Sequence, residues 1–305
     1  MIAAQPTLQN LLGRWALDPG VIAALLMAGA VYTWGVARAR DVRIGGQRRG
    51  WPLWRAASFA AGLLTLAVAL LSGVDEVSDE LLSVHMVQHM MLALLAPVLL
   101  LCGAPVRLAF AASSRSSRSA LGALLASRPI RTLTHPGVGL ALFASVELGT
   151  HLTGLYQLAL EDETLHALEH AAYFWSGLLL FAPLIAADPL PHPPAPLARF
   201  SWMMGAMTAM AVPGAVLTFS ESVRYPFYLA PAHALGRSAL ADQHLAGAIM
   251  WVGSGLAMFA LALFVTLSAM LAEEHRQRRR ELHLDARTAL ETGGEATARA
   301  GVLGG

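Results

Sequence analysis

The stretch LLSVHMVQHMMLALLAPVLLLCGAP, Leu81 to Pro105, decides the fold. A helix crosses a bilayer with about 20 mostly apolar residues at about 1.5 Å rise each. Residues 81–102 meet that requirement, and the Gly-Ala-Pro behind them is a stop signal. His85 and His89 stand four residues apart inside it. Positions i and i+4 share one helix face, so two imidazoles point the same way, roughly 6 Å apart along the axis. Ionisable groups within a span are costly and mark functional sites. The pair is the first candidate site.

Composition places the rest of the chain in the same class. Of 305 residues, 56% are hydrophobic and 13% charged, against about a quarter charged in soluble domains. Cys102 is the single cysteine, which excludes an intrachain disulfide and a cysteine-built zinc or iron-sulfur site and leaves a small apolar residue. The first 20 residues lack the basic, apolar and small-residue succession of a signal peptide. No nucleotide fingerprint or phosphate loop occurs, and nothing calls for a nucleic-acid partner.

Seven apolar segments follow from the pattern, at about 21–37, 53–73, 81–102, 137–156, 164–186, 198–220 and 243–271. The expectation is an all-α polytopic membrane protein: an N-terminal segment 1–20, a seven-helix domain 21–271, and a charged tail 272–305, helical at first and then partly disordered. Residues 113–134 read as a short interfacial helix. Basic residues crowd alternate loops: Arg38, Arg40, Arg43, Arg48, Arg49 and Arg55 in the first, Arg107, Arg115, Arg118, Arg128 and Arg131 in the third, and EEHRQRRR in the tail. The second and fourth loops are acidic, with Asp75, Glu76, Asp79 and Glu80, then Glu161, Asp162 and Glu163. By the positive-inside rule the C-terminus is cytoplasmic and the N-terminus outside. Arg224 and Arg237 in the sixth loop are a mild exception.

That orientation gathers the histidines. His85 and His89 open span three, His166 and His170 open span five, His244 opens span seven, and His151 nearly closes span four. All six fall at the outer end, whereas His135 and His192 fall in cytoplasmic loops, His233 in an outer loop, and His275 and His283 in the tail. His85/His89, His166/His170 and Glu147/His151 are each i,i+4 pairs. Two H-x-x-x-H helices can close a four-nitrogen metal site, since imidazole suits copper, zinc, iron and nickel. Glu147 and His151 can add a ligand or orient one, and Glu169 shares the sector of His166. A lone histidine near a span end reads as interfacial; two pairs at one depth favour a metal. Asp242 stands where the N-cap of span seven belongs, so His244 reads equally as ligand or as part of a cap. Met86 and Met90 interleave with the first pair and read either as packing or as soft thioether donors for Cu(I).

The blocks HMVQHMMLALLAPVLLLCGAP, HLTGLY, LHALEHAAYFWSGLL and DQHLAGAIMWVGSGL resemble the CtaG family, membrane assembly factors of caa3-type cytochrome c oxidase linked to copper supply. The resemblance covers residues 20–270. It implies that His85, His89, His151, His166 and His170 are family positions, together with Asp242, Gln243, Met250 and Trp251. Two departures stand out: His244 where another polar residue such as Gln is expected, and FAPLI closing span five where aromatics are commoner.

The resulting expectation is a non-enzymatic protein of a bacterial inner membrane that supports copper-centre assembly. It binds copper, Cu(I) in preference to Cu(II), and meets oxidase subunits or a periplasmic copper chaperone. Metal ligands are His85, His89, His166, His170 and His151, with Glu147, Glu169, Asp242, His244, Met86 and Met90 as further ligands or supports. Two alternatives remain: a heme-binding cytochrome, or an intramembrane metal-dependent enzyme with Glu147 or Glu169 as general base.

Overall fold

The computed structural model describes residues 13, 15–39, 43–44, 47–48, 50–191 and 193–302, as backbone alone at 43–44, 47–48 and 283–302. Most of the N-terminal segment, Arg40, Arg49 and His192 lie outside the described residues, as do the side chains of Arg43, Arg48 and His283.

The chain is a bundle of helices. The elements are α1 (Pro19–Ala39), α2 (Leu53–Leu71), short α3 (Gly73–Ser78), and α4, which runs as Leu82–Met90, a π turn at Met91–Leu95, and Ala96–Cys102. Then come α5 (Pro105–Ala112), α6 (Arg115–Leu125), α7 (Arg128–Leu133), α8 (Pro136–Leu152), α9 (Leu155–Glu161), α10 (Glu163–Ile185) and α11 (Pro196–Thr218). A 3-10 turn at Pro226–Tyr228 and α12 (Leu229–Ala234) lead to α13, made of Ala239–Ala248, a second π turn at Ile249–Gly253, and Ser254–Val302. A two-residue antiparallel pairing joins Arg43–Ile44 to Gln47–Arg48.

Among the described residues six helical stretches are long and apolar enough to cross a membrane, and there are seven if the bent pair α8–α9 counts as one span. The surface agrees with lipid as solvent: Leu26, Met27 and Val31 on α1 and Phe264 on α13 are exposed, while His85, Gln88, Glu147 and Asp242 are buried. That inversion is the membrane pattern, with polar groups turned to the bundle interior.

Two details differ from the sequence expectation. The fourth span stops at Leu152, where Thr153 is extended and caps the next turn by accepting the Leu155 N–H (3.1 Å). The chain then bends by 75° into α9. The interfacial segment is two helices, α6 and α7, because Ser127 is extended and Pro129 cannot continue the first.

The π turn of α4 has a local cause. Pro97 has no N–H for the carbonyl of Ala93, four residues back, and its ring crowds that carbonyl. The helix widens just there, and Ala96 donates instead to Met91, five residues back. The displaced carbonyl of Ala93 projects onto α10, where a Cβ at position 177 would collide with it. Only glycine lets α10 lie this close. A second close approach joins α11 to α13, where a Cβ on Gly247 would meet the Gly214 carbonyl and the Thr218 hydroxyl at 2.5 Å.

Gly177→Ala is expected to lower thermal stability in detergent by about 1–3 kcal/mol, the usual range for overpacking. Gly149→Ala, whose Cβ meets nothing within 4 Å, serves as the helix-propensity control and is expected to be neutral or slightly stabilising. Equal melting temperatures for the two variants would show that α4 and α10 do not depend on this contact.

Candidate metal centre

The close approach of α4 and α10 at Ala93 and Gly177 sets the depth of the site. His85 and His89 lie on α4 before the π turn, and His166 and His170 lie on α10 before Gly177. The four imidazoles converge: ring centroids are 5.1 Å apart for His85–His166, 5.5 Å for His89–His170 and 4.2 Å for His166–His170. Nε2 of His85 lies 2.9 Å from Nε2 of His89. One nitrogen from each of His85, His89 and His170 lies within 4.8 Å of the others, the reach of one metal ion. A second set of that size is His85, His166 and Glu169.

A hydrogen bond anchors the ring of His85. Tyr228 donates its single O–H to the Ser78 carbonyl (3.1 Å) and lies 2.9 Å from Nδ1 of His85. When that proton is committed to the carbonyl, Nδ1 carries the hydrogen and donates to the phenol oxygen. Nε2 then holds a lone pair facing His89 and His170. A ligating histidine commonly has its second ring nitrogen anchored in this way. Burial pushes the Tyr228 phenol up, an effect its bond to Tyr156 opposes, so the phenol stays protonated and able to donate.

His151 joins the cluster differently. Its ring lies 6.1 Å from His89, but Nε2 faces the Tyr173 hydroxyl (3.0 Å) and Nδ1 the Tyr225 hydroxyl (3.3 Å). Both nitrogens face tyrosine hydroxyls, and His151 belongs to neither three-ligand set. By contrast Nε2 of His166, Nε2 of His170, Oε2 of Glu147 and both carboxylate oxygens of Glu169 are buried without a hydrogen-bond partner. Unpaired buried polar atoms cost about 1–3 kcal/mol each, and a cation held among them would remove that cost. The donor set fits a metal.

The remaining expected residues fall around this centre. Asp242 does not cap its own helix, because α13 begins earlier and Ser238 accepts the Ala241 N–H (3.3 Å). Instead Asp242 accepts the Ser83 N–H (3.2 Å) and hydroxyl (2.6 Å), capping α4 from the opposite end of the sequence, where Leu81 offers no side-chain cap. A carboxylate there also favours the positive end of the helix dipole. His244 is not brought to the cluster; its Nε2 donates to the Ser220 carbonyl (2.9 Å). Met86 is buried beside Tyr156, Tyr228 and Met250. Met90 turns away, lining an apolar groove with Val87, Leu94 and Ile249.

Sequence reasoning missed the tyrosines. Of five in the chain, Tyr156, Tyr173, Tyr225 and Tyr228 are buried against these histidines. The bend after Leu152 aims Tyr156 to within 5.3 Å of His85 and 5.1 Å of His151. Tyr173 follows His170 by three residues on the same helix face, a signal the sequence does carry. Gln88, between the paired histidines, donates to Asp75 (2.6 Å) and to the Ala69 carbonyl (2.8 Å). Burial raises the carboxyls of Asp75 and Asp79, opposed in Asp75 by that bond and in both by nearby His166.

Comparison with known proteins follows the same lines. The chain is 29% identical to the uncharacterized protein ML1998 of Mycobacterium leprae over 283 residues, 90% of this chain and 41% of that one. It is 29% identical to the uncharacterized protein Mb0105 of Mycobacterium bovis over 289 residues, again 90% and 41%. It thus spans about two fifths of the length of these curated relatives. No solved structure matches it significantly. Residues 30–271, which include every histidine of the cluster, match the family described as cytochrome c oxidase caa3 assembly factor. The chain belongs to the cytochrome c oxidase caa3 assembly factor (Caa3_CtaG) family.

Proposed function

We propose that the chain handles copper for oxidase assembly, holding Cu(I) between His85, His89 and His170. The observation that carries this reading is the buried nitrogen trio within 4.8 Å, with Nε2 of His170 lacking any other partner. Copper(II) favours tetragonal surroundings, and a three-nitrogen set offers no square of four, which favours Cu(I). Met86 is the one interleaved methionine beside this network, so any sulfur contribution falls to it and not to Met90. Membership of an assembly-factor family supports a non-enzymatic role and oxidase subunits or a copper chaperone as partners.

The histidine end then faces outside in a bacterial inner membrane, where Asp75, Asp79 and Glu163 lie, and the basic loops face the cytoplasm. A heme is poorly supported. Tyr156 and Tyr173 pack beside His85 and His89, at ring separations of 5.3 and 4.2 Å, on the faces an axially ligated macrocycle would need.

His85→Ala, His89→Ala or His170→Ala is expected to remove most bound copper from purified protein, with affinity falling at least about 100-fold. His151→Ala is expected to cost about 10 to 100-fold, as for residues that orient ligands. His275→Ala in α13 is expected to change nothing. Copper analysis checks the series, and wild-type copper content in the His85/His89/His170 triple variant would end the proposal.

Topology is checked separately. A periplasm-active reporter fused after Glu163 is expected to be active and one fused after Arg276 silent. The reverse pattern would turn the histidine end inward.

A further inference from the structure

A cleft of about 660 Å³ opens beside the cluster. Its polar lining is Asp18, Asp75, Asp79, Glu163, His166 and His170, with no basic side chain other than imidazole among the described residues. Leu25, Leu66 and Phe174 supply apolar walls. Exposure falls steadily inward. Asp18, Asp79 and Glu163 are exposed, Asp75 and His166 are half-buried, His170 is 9% exposed, and His85 and His89 are deeper still.

We propose that this cleft is the port through which a metal cation reaches the histidines. Its carboxylates gather the ion, and the set His85, His166 and Glu169 passes it to His85, His89 and His170. The proposal rests on the copper reading above and adds the route.

Three observations support the route. Carboxylates of one sign between low-dielectric walls concentrate cations and raise on-rates by about 10 to 1,000-fold. The unpartnered Nε2 atoms of His166 and His170 belong to residues lining the cleft, the second of them almost wholly buried. The two ligand sets share His85. An ion can therefore pass from the set with His166 and Glu169 to the set with His89 and His170 while His85 stays a neighbour throughout.

Two of the carboxylates also have structural duties that a conservative change preserves. Asp18 accepts the Gly20 and Val21 N–H groups (2.7 and 2.9 Å), and Asp75 accepts from Gln88. Asn keeps the acceptor in each case.

The test is stopped-flow transfer of Ag(I), a redox-inert stand-in for Cu(I), from a weak chelator to detergent-purified protein. The Asp75→Asn, Asp79→Asn, Glu163→Gln triple variant is expected to load at least about tenfold more slowly, with a weaker salt dependence and unchanged final stoichiometry. Glu80→Gln with Glu161→Gln, at the same end but outside the cleft, is expected to match the wild type. A wild-type rate in the triple variant, or equal slowing in the control, would overturn the port. Lost stoichiometry in the triple variant would also overturn it, by making the carboxylates ligands. A wild-type protein that takes up no Ag(I) or Cu(I) is the distinct result that removes the copper reading and the port with it.

Discussion

The contact between the Ala93 carbonyl and Gly177 is the constraint on which the rest of the bundle depends. Pro97 frees and displaces that carbonyl, the π turn absorbs the distortion, and glycine on α10 is the one residue that leaves room for it. Two helices locked at one point keep their relative depth. The histidines stand on the same side of that lock on both α4 and α10, so their imidazoles meet instead of sliding past one another. A one-residue slip would rotate either helix by about 100° and turn its pair away.

What surrounds the histidines is polar and largely buried. The tyrosines serve this environment well, since a phenol supplies apolar bulk and one hydroxyl that finds a partner when buried. Tyr228 anchors one imidazole, and Tyr173 with Tyr225 occupies another on both sides. The five histidines are thereby divided into those whose nitrogens are committed and those whose nitrogens remain available. His151 is committed; His166 and His170 are available.

Much of this was legible in the amino-acid order, because bilayer length and helical period are strong constraints. The seven apolar segments and the shared faces of His85/His89 and His166/His170 follow from spacing alone. The bend at Thr153 was not legible, since HLTGLY reads as a continuous span until the Thr153 hydroxyl turns to cap α9. Asp242 was misplaced for a similar reason. Its position suggested a local cap, whereas its partner is Ser83, 159 residues away, and no local pattern encodes such a bond. The tyrosines are spread over a fold-back, a helix and a loop, and only the closed bundle brings them together. The outward turn of Met90 depends on how α4 meets α13, which one helix cannot specify.

The long-range bonds from Tyr228 and Asp242 also bear on biosynthesis. Chains are made and folded from the N-terminal end, so all five clustered histidines have emerged once α10 is complete. Neither the phenol that orients His85 nor the carboxylate that caps α4 exists at that stage. Both arrive later, at positions 228 and 242. Before they are made, His85 lacks its phenol partner and α4 lacks its carboxylate cap. Maturation of the site is thus coupled to synthesis of the segment that carries Tyr228 and Asp242, and a chain cut before it keeps the histidines but lacks these bonds.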